Sequence, residues 1–189
     1  MTSSTTEVLL FESAKPPELH QALGAAASAI ATAEFYRQLM RAIGSMLRAD
    51  LSMVMRYSRH SAPEYAVHDG LSPHDMEIYL RGLYRVDPVY RLCREHSARG
   101  VYNLDDICTP EERAGEYFSI FLQLTGMADD LVILFPAPAE STLGLVYERK
   151  EAFTRQDVDE LREIYPLLEG MHIAHERLML PQLTEQARE

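Results

Sequence analysis

The sequence has no tryptophan, only two cysteines (Cys93 and Cys108), and 18 basic residues against 29 acidic ones, a formal net charge of −11. Each shortage excludes something. The two cysteines have no further ligand at metal-binding spacing beside them, so neither a disulfide framework nor a zinc site is encoded, which fits a reducing cytoplasm. The acid surplus repels phosphate backbones, and this chain alone is not expected to bind nucleic acid. No apolar run approaches the roughly 18 residues that span a bilayer. Met1 to Thr6 is polar and lacks a basic start, so neither membrane insertion nor export is indicated. A glycine-rich phosphate loop, a nucleophile elbow and a paired-carboxylate cleft are all missing from the pattern. The chain is therefore read as a non-enzyme without a cofactor.

What remains is the composition of a folded domain: 47% hydrophobic and 25% charged over 189 residues, enough for one full core and too little for two. Residues 1–27 pass from Ser/Thr through Val8-Leu9-Leu10-Phe11 to an Ala-rich segment and read as an N-terminal arm. A single domain is expected over 28–179 and a linker over 180–189. Within it, Phe35, Leu39, Met40, Ile43, Met46 and Leu47 keep a helical stripe, with Ser28 as the expected cap. Alternation at Leu51, Met53, Met55 and Tyr57, then at Tyr65 and Val67, predicts a hairpin closed by Asp69-Gly70. Thr109-Pro110-Glu111-Glu112 reads as a helix start, and Tyr117, Phe118, Phe121, Leu122 and Leu124 continue it as a buried helix to Gly126. A second hairpin is predicted over Asp130 to Arg149, broken by Pro136-Ala137-Pro138. Phe153-Thr154-x-x-Asp157 opens a long last helix that Pro166 should bend and Pro181 should end. The order of elements predicts an α/β/α sandwich of the PAS or GAF kind: an antiparallel sheet of about five strands with helices on both faces.

The most informative stretch is Tyr84-Arg85-Val86-Asp87-Pro88-Val89-Tyr90. Aspartate before proline is a helix start, because the carboxylate accepts from the first free N–H groups and proline loses nothing at the first helical position. Ser72-Pro73 opens another helix with Met76 and Tyr79 turned inward, so two helices meet at an aspartate among tyrosines.

Pro73, then Tyr79, then Tyr84-x-x-Asp87-Pro88-Val89 resembles the signal-binding domain of LuxR-type transcription regulators. The resemblance spans roughly residues 30–178, with Phe118 to Gly126 and Leu143-Gly144 also at matching places. It implies that Asp87 accepts a ligand N–H in a closed pocket beside tyrosines. Met76 stands where the family carries a tryptophan that donates to a lactone carbonyl, and methionine donates nothing. The acidic pair Asp129-Asp130 is similar to LuxR-type sensors whose ligand is not a lactone. The implied ligand-binding residues are Asp87, Tyr79, Tyr84, Tyr57, Tyr65, Tyr102, Met76 and Tyr147. Each has a plainer reading: Asp87 as a helix cap, the tyrosines as core or rim aromatics that need one hydrogen-bond partner each.

His172 and His175, three apart on the last helix, read as a solvated face, and no metal site is expected. Cys93 lies on an apolar helix stripe and reads as packing. Leu183-Thr184-x-x-x-Arg188-Glu189 resembles the opening of the LuxR-type helix-turn-helix, with Thr184 as its cap, so DNA binding is expected only through a domain absent from these residues. The leading expectation is a sensing domain that holds a small amphipathic ligand between sheet and helices, forms a homodimer, and controls DNA binding of a longer chain. The competing one is an interaction module that pairs with full-length relatives and inhibits them.

Overall fold

The computed structural model describes residues 17–95 and 98–186. Helix α1 (Pro17–Ser28) and helix α2 (Phe35–Leu47) precede strands β1 (Leu51–Ser58) and β2 (Glu64–Asp69). A run of short helices follows: α3 (Pro73–Leu80), a 3₁₀ turn at Leu83–Val86, and α4 (Pro88–Glu95). After strand β3 (Gly100–Asn103) come α5 (Leu104–Ile107), α6 (Pro110–Arg113), a π-helix at Tyr117–Leu122 and α7 (Gln123–Thr125). Strands β4 (Asp129–Ala137) and β5 (Ser141–Arg149) lead into α8 (Arg155–Gln186).

The strands form one five-stranded antiparallel sheet in the order β2-β1-β5-β4-β3. Side chains alternate between its faces. Val54, Leu131, Ile133, Phe135, Leu143, Leu145 and Tyr147 pack against α1, α2 and α8, while Met53, Met55, Tyr57, Val132, Leu134 and Val146 pack against the short helices. This is the expected α/β/α sandwich.

The local signals hold where partners are close in sequence. Ser72 Oγ accepts from the Asp75 N–H at 3.1 Å and donates to its carboxylate at 2.7 Å, which starts α3. Thr109 with Glu112, and Thr154 with Asp157, make the reciprocal caps of α6 and α8. Glu112 also receives Arg91 through two nitrogens, at 2.8 and 3.2 Å, and so ties α6 to α4.

Four expectations are corrected. Residues 17–27 are not an arm: they form α1, whose Leu19, Leu23 and Ala26 are buried in the core, while residues 1–16 lie outside the described ones. The helix expected from Ser28 starts at Phe35 instead, and Ser28 closes α1 with its hydroxyl donating to the Gly24 carbonyl at 3.0 Å. The break has a tertiary cause, since Ala31, at φ 66°, gives its N–H to His175 Nδ1 at 3.1 Å. Helix α8 neither stops at Pro181 nor restarts at Thr184; it runs on to Gln186, with both residues inside it. The segment expected to be a buried α-helix up to Gly126 is largely a π-helix, with Tyr117 buried but Ile120 and Leu124 exposed.

Candidate functional site

The site grows from the start of α4. Asp87 sits in extended conformation with φ −72° and ψ 121°, so its carboxylate turns back over the first turn. Oδ1 accepts from the Val89 N–H at 2.7 Å, and Oδ2 accepts from the Tyr79 hydroxyl at 2.6 Å. The residue is only 3% exposed. The cap reading is therefore correct as far as it goes, and one carboxylate bridges α3 and α4. A carboxylate offers about four lone-pair positions. Tyr79, Val89 and Tyr90 act on three of them.

Around this bond the tyrosines assemble edge to face: Tyr65 to Tyr79 at 5.9 Å between ring centroids, Tyr79 to Tyr84 at 6.3 Å, and Tyr84 to Tyr90 at 5.0 Å. Tyr57 comes up from β1 beneath them and is fully buried. Its ring has room because residue 144 is glycine. A Cβ there would lie 2.8 Å from Tyr57 and 3.2 Å from Leu134. Met76 packs on the edge of the group and lines an open groove of about 620 Å³ on the outer side of α3, together with His68, Pro73, Glu77, Leu80 and Arg81.

Tyr57, Tyr65, Tyr79, Tyr84 and Met76 are thus brought together with Asp87. Tyr102 is on the same face but at the β3 edge, where its hydroxyl donates to the Arg99 carbonyl at 2.9 Å. Tyr147 does not belong to the group. It faces α2 on the far side of the sheet, close against Gly44, and its buried hydroxyl has no partner among the described residues. Strand parity is the reason: adjacent residues point to opposite faces.

The same parity turns Glu148 toward the helices, directly opposite Asp130 on β4. Glu148 was not among the sequence candidates, and Asp130 stood out only as half of an acidic pair, not as a ligand-binding residue. Asp130 accepts from the buried Tyr117 hydroxyl at 2.6 Å, a contact supplied by the π-helix. π-Turns are rare and gather at functional sites. Asp130 and Glu148 are 2% and 1% exposed. Asp129, its side chain on the other face, accepts from the Phe153 N–H at 3.0 Å and fixes the start of the turn into α8.

Three carboxylates therefore share one dry interior face. Burial pushes Asp87 up to about 6, against the Tyr79, Val89 and Tyr90 hydrogen bonds that hold it down. Burial raises Asp130 and Glu148 as well, and mutual repulsion among the three adds to it. Tyr57, Tyr79 and Tyr117 are held protonated by burial and by these neighbours. Cys93, buried beside the group, is also pushed up and kept as a thiol.

On the opposite face the two histidines are not solvated. His172 Nε2 meets the Pro136 carbonyl at 2.9 Å, its Nδ1 meets the Tyr36 hydroxyl at 2.9 Å, and its ring stacks on Phe135 at 4.8 Å. His175 stacks on Phe35 at 4.5 Å. They seal α8 to the core.

No family model matches the chain, and no curated protein matches it. Solved structures do. The VqsR LBD domain from Pseudomonas aeruginosa is 21% identical with a TM-score of 0.75, covering 84% of this chain and 96% of that one. CepR2 from Burkholderia cenocepacia, an N-acylhomoserine lactone dependent LuxR family transcription factor, is 17% identical with a TM-score of 0.59, covering 87% and 95%. SdiA from Escherichia coli is 15% identical with a TM-score of 0.57, covering 84% and 66%. SdiA is also solved in complex with octanoyl-rac-glycerol, and GAF domains are among the further matches. This chain has the fold of LuxR-family autoinducer-binding domains over most of its length.

Proposed function

We propose that the chain is the small-molecule-sensing domain of a LuxR-type transcription regulator, holding an amphipathic ligand between the sheet and the short helices. The observation that carries this reading is the buried Tyr79–Asp87 bond at the junction of α3 and α4, inside a fold shared with ligand-binding regulators. Asp87 retains one acceptor position, and the tyrosines give it an apolar wall. The covering layer is built of short helices joined by turns, which can part more cheaply than a long helix can. A ligand bound there stabilises the folded state by mass action.

The fold neighbours named for a ligand differ in what they hold: CepR2 is lactone dependent, whereas SdiA accommodates an acyl glycerol. With Met76 and no tryptophan in this chain, an acyl or aryl amide or a polyol fits better than a lactone that needs an indole donor. Signal output runs through α8, whose outer side exposes Leu167, Ile173 and Leu178 and forms the homodimer. Regulation, not turnover, is the role. No nucleophile–base pair accompanies the site among the described residues, and DNA is reached only through a further domain.

A thermal-shift screen of amphipathic amides, lactones, acyl glycerols and aromatic acids tests this. At least one class should raise the melting temperature of the chain in a saturable way. A uniformly negative screen, with the protein shown to be folded, would remove the sensing reading.

A further inference from the structure

Resting on the sensing reading above, we infer that the site takes an organic cation. Its protonated amine lies between Asp130 and Glu148 while an amide or hydroxyl donor reaches Asp87.

The argument begins with register. Asp130 and Glu148 are direct cross-strand partners, so their Cβ atoms are roughly 4.5–5.5 Å apart on one face. Like charges in that position destabilise a sheet, and here both are out of water. Asp130 Oδ2 is taken by the Tyr117 hydroxyl, but Asp130 Oδ1 and Glu148 Oε2 are buried with no hydrogen-bond partner among the described residues. Buried polar atoms are almost always satisfied, and an orphaned atom on each of two cross-strand partners points to a group brought from outside.

The missing group must be a donor and should be positive. Two tyrosine hydroxyls of the site, those of Tyr79 and Tyr117, already give their protons to Asp87 and Asp130. Arg113, the cation that acts on Asp130 from a distance, is paired with Asp105 at the surface. Burial raises both carboxyls, so an ammonium that enters between them displaces their protons and faces two carboxylate acceptors. An ammonium supplies three N–H donors and a charge in one compact group. Tyr57, Tyr65, Tyr79 and Tyr117 belong to the same cluster and make the surround aromatic, which favours a cation further. A ligand carboxylate would meet three of its own kind. A neutral lactone brings carbonyl acceptors to a place that already has too many.

Calorimetric titration of the whole chain with three matched probes tests this: N-hexanoyl-ethylenediamine (cationic), N-hexanoyl-ethanolamine (neutral) and N-hexanoyl-glycine (anionic). The expected order is cationic, then neutral, then anionic, with about tenfold or more between the first two. Asp130→Asn and Glu148→Gln, which keep shape and remove charge, should each abolish that preference, read as the ratio of cationic to neutral affinity in the same variant. Equal or tighter binding of the neutral probe by the wild type overturns the cation assignment and leaves the sensing reading intact. Absence of binding by all three also overturns it, and the sensing reading is then judged on its own broader screen. A saturable response to calcium or magnesium chloride in place of the amine would overturn it in favour of an inorganic ion.

Discussion

The Tyr79 hydroxyl donates to Asp87 Oδ2 at 2.6 Å, and both residues are only 3% exposed. The bond joins α3 to α4 in the layer that covers the sheet. Since Oδ1 is committed to the cap, the two oxygens of one side chain serve different ends.

Substitutions at Asp87 separate those ends. Asp87→Asn keeps an oxygen for the Val89 N–H and should melt near wild type in the absence of ligand. It should lose most of the ligand-induced rise, since a donor held by a charged acceptor contributes about 1.5–3 kcal/mol. Asp87→Ala loses the cap, about 1 kcal/mol, and also the bond from the Tyr79 hydroxyl, about 1 kcal/mol or more. Denaturant titration of the two variants, with and without a screening hit, reads both effects. If Asp87→Asn leaves the ligand effect untouched, Asp87 is a cap alone.

Stability should fall as pH rises from about 4 to above 6. Asp87 has a folded value of about 6, raised above its ordinary 3.8, so the folded state holds the proton more tightly than the unfolded chain. Its contribution is fully present below the unfolded value and lost through the folded one, a change of about 3 kcal/mol at about 1.4 kcal/mol per unit. Asp130 and Glu148, raised too, act in the same direction, with Tyr57, Tyr65, Tyr79 and Tyr117 neutral around them throughout. His175 opposes this on the acid side. Burial lowers it, despite Glu176 nearby and with His172 adding to the effect, so the unfolded chain protonates first and stability falls as pH drops below about 6.5. Asp157 and Glu169, held low by their hydrogen bonds and by Arg149 and Arg99, add a loss below about 4. Melting temperature against pH should thus peak in the mildly acidic range, and Asp87→Asn should flatten its alkaline side. A monotonic rise to pH 8 would contradict the burial of these carboxylates.

The exposed side of α8 predicts self-association. Leu167, Ile173 and Leu178 are 54%, 41% and 53% exposed, and two such helices side by side would cover them. Sedimentation at micromolar concentration should give a dimer, and the double change Ile173→Asp, Leu178→Asp should give a monomer with an unchanged melting profile when dilute. A wild-type chain that stays monomeric at every concentration is the contrary outcome.

Duplex DNA should not bind to these residues at physiological salt, because a net charge of −11 opposes the phosphate contacts that supply non-specific affinity. A mobility-shift assay decides it, with a retarded band as the contrary result.

Much of the fold could be read from the sequence because its signals are local. The Asp87-Pro88 cap, the Ser72, Thr109 and Thr154 starts and the β1–β2 and β4–β5 hairpins each depend on residues a few positions apart. The tyrosines and Met76 gathered at Asp87 followed from the same inward stripes.

Other features were decided by partners far along the chain. Helix α1 ends where it does because His175 takes the Ala31 N–H, a contact between residues 144 apart. The two histidines are core residues only because Tyr36, Phe135 and Phe35 stand where α8 lands. In β5, the sequence offers Tyr147 and Glu148 as equal neighbours. Hydrophobic content alone would bury the phenol and expose the acid. Which of the two faces Asp87 is set by the register of β5 between β1 and β4, and a strand's two faces differ by a single residue. The sequence by itself determined most of the elements and the aspartate at the junction of α3 and α4. Only the tertiary structure brought Asp130 and Glu148 to the same dry face, because a pairing of strands, not any local preference, holds them there.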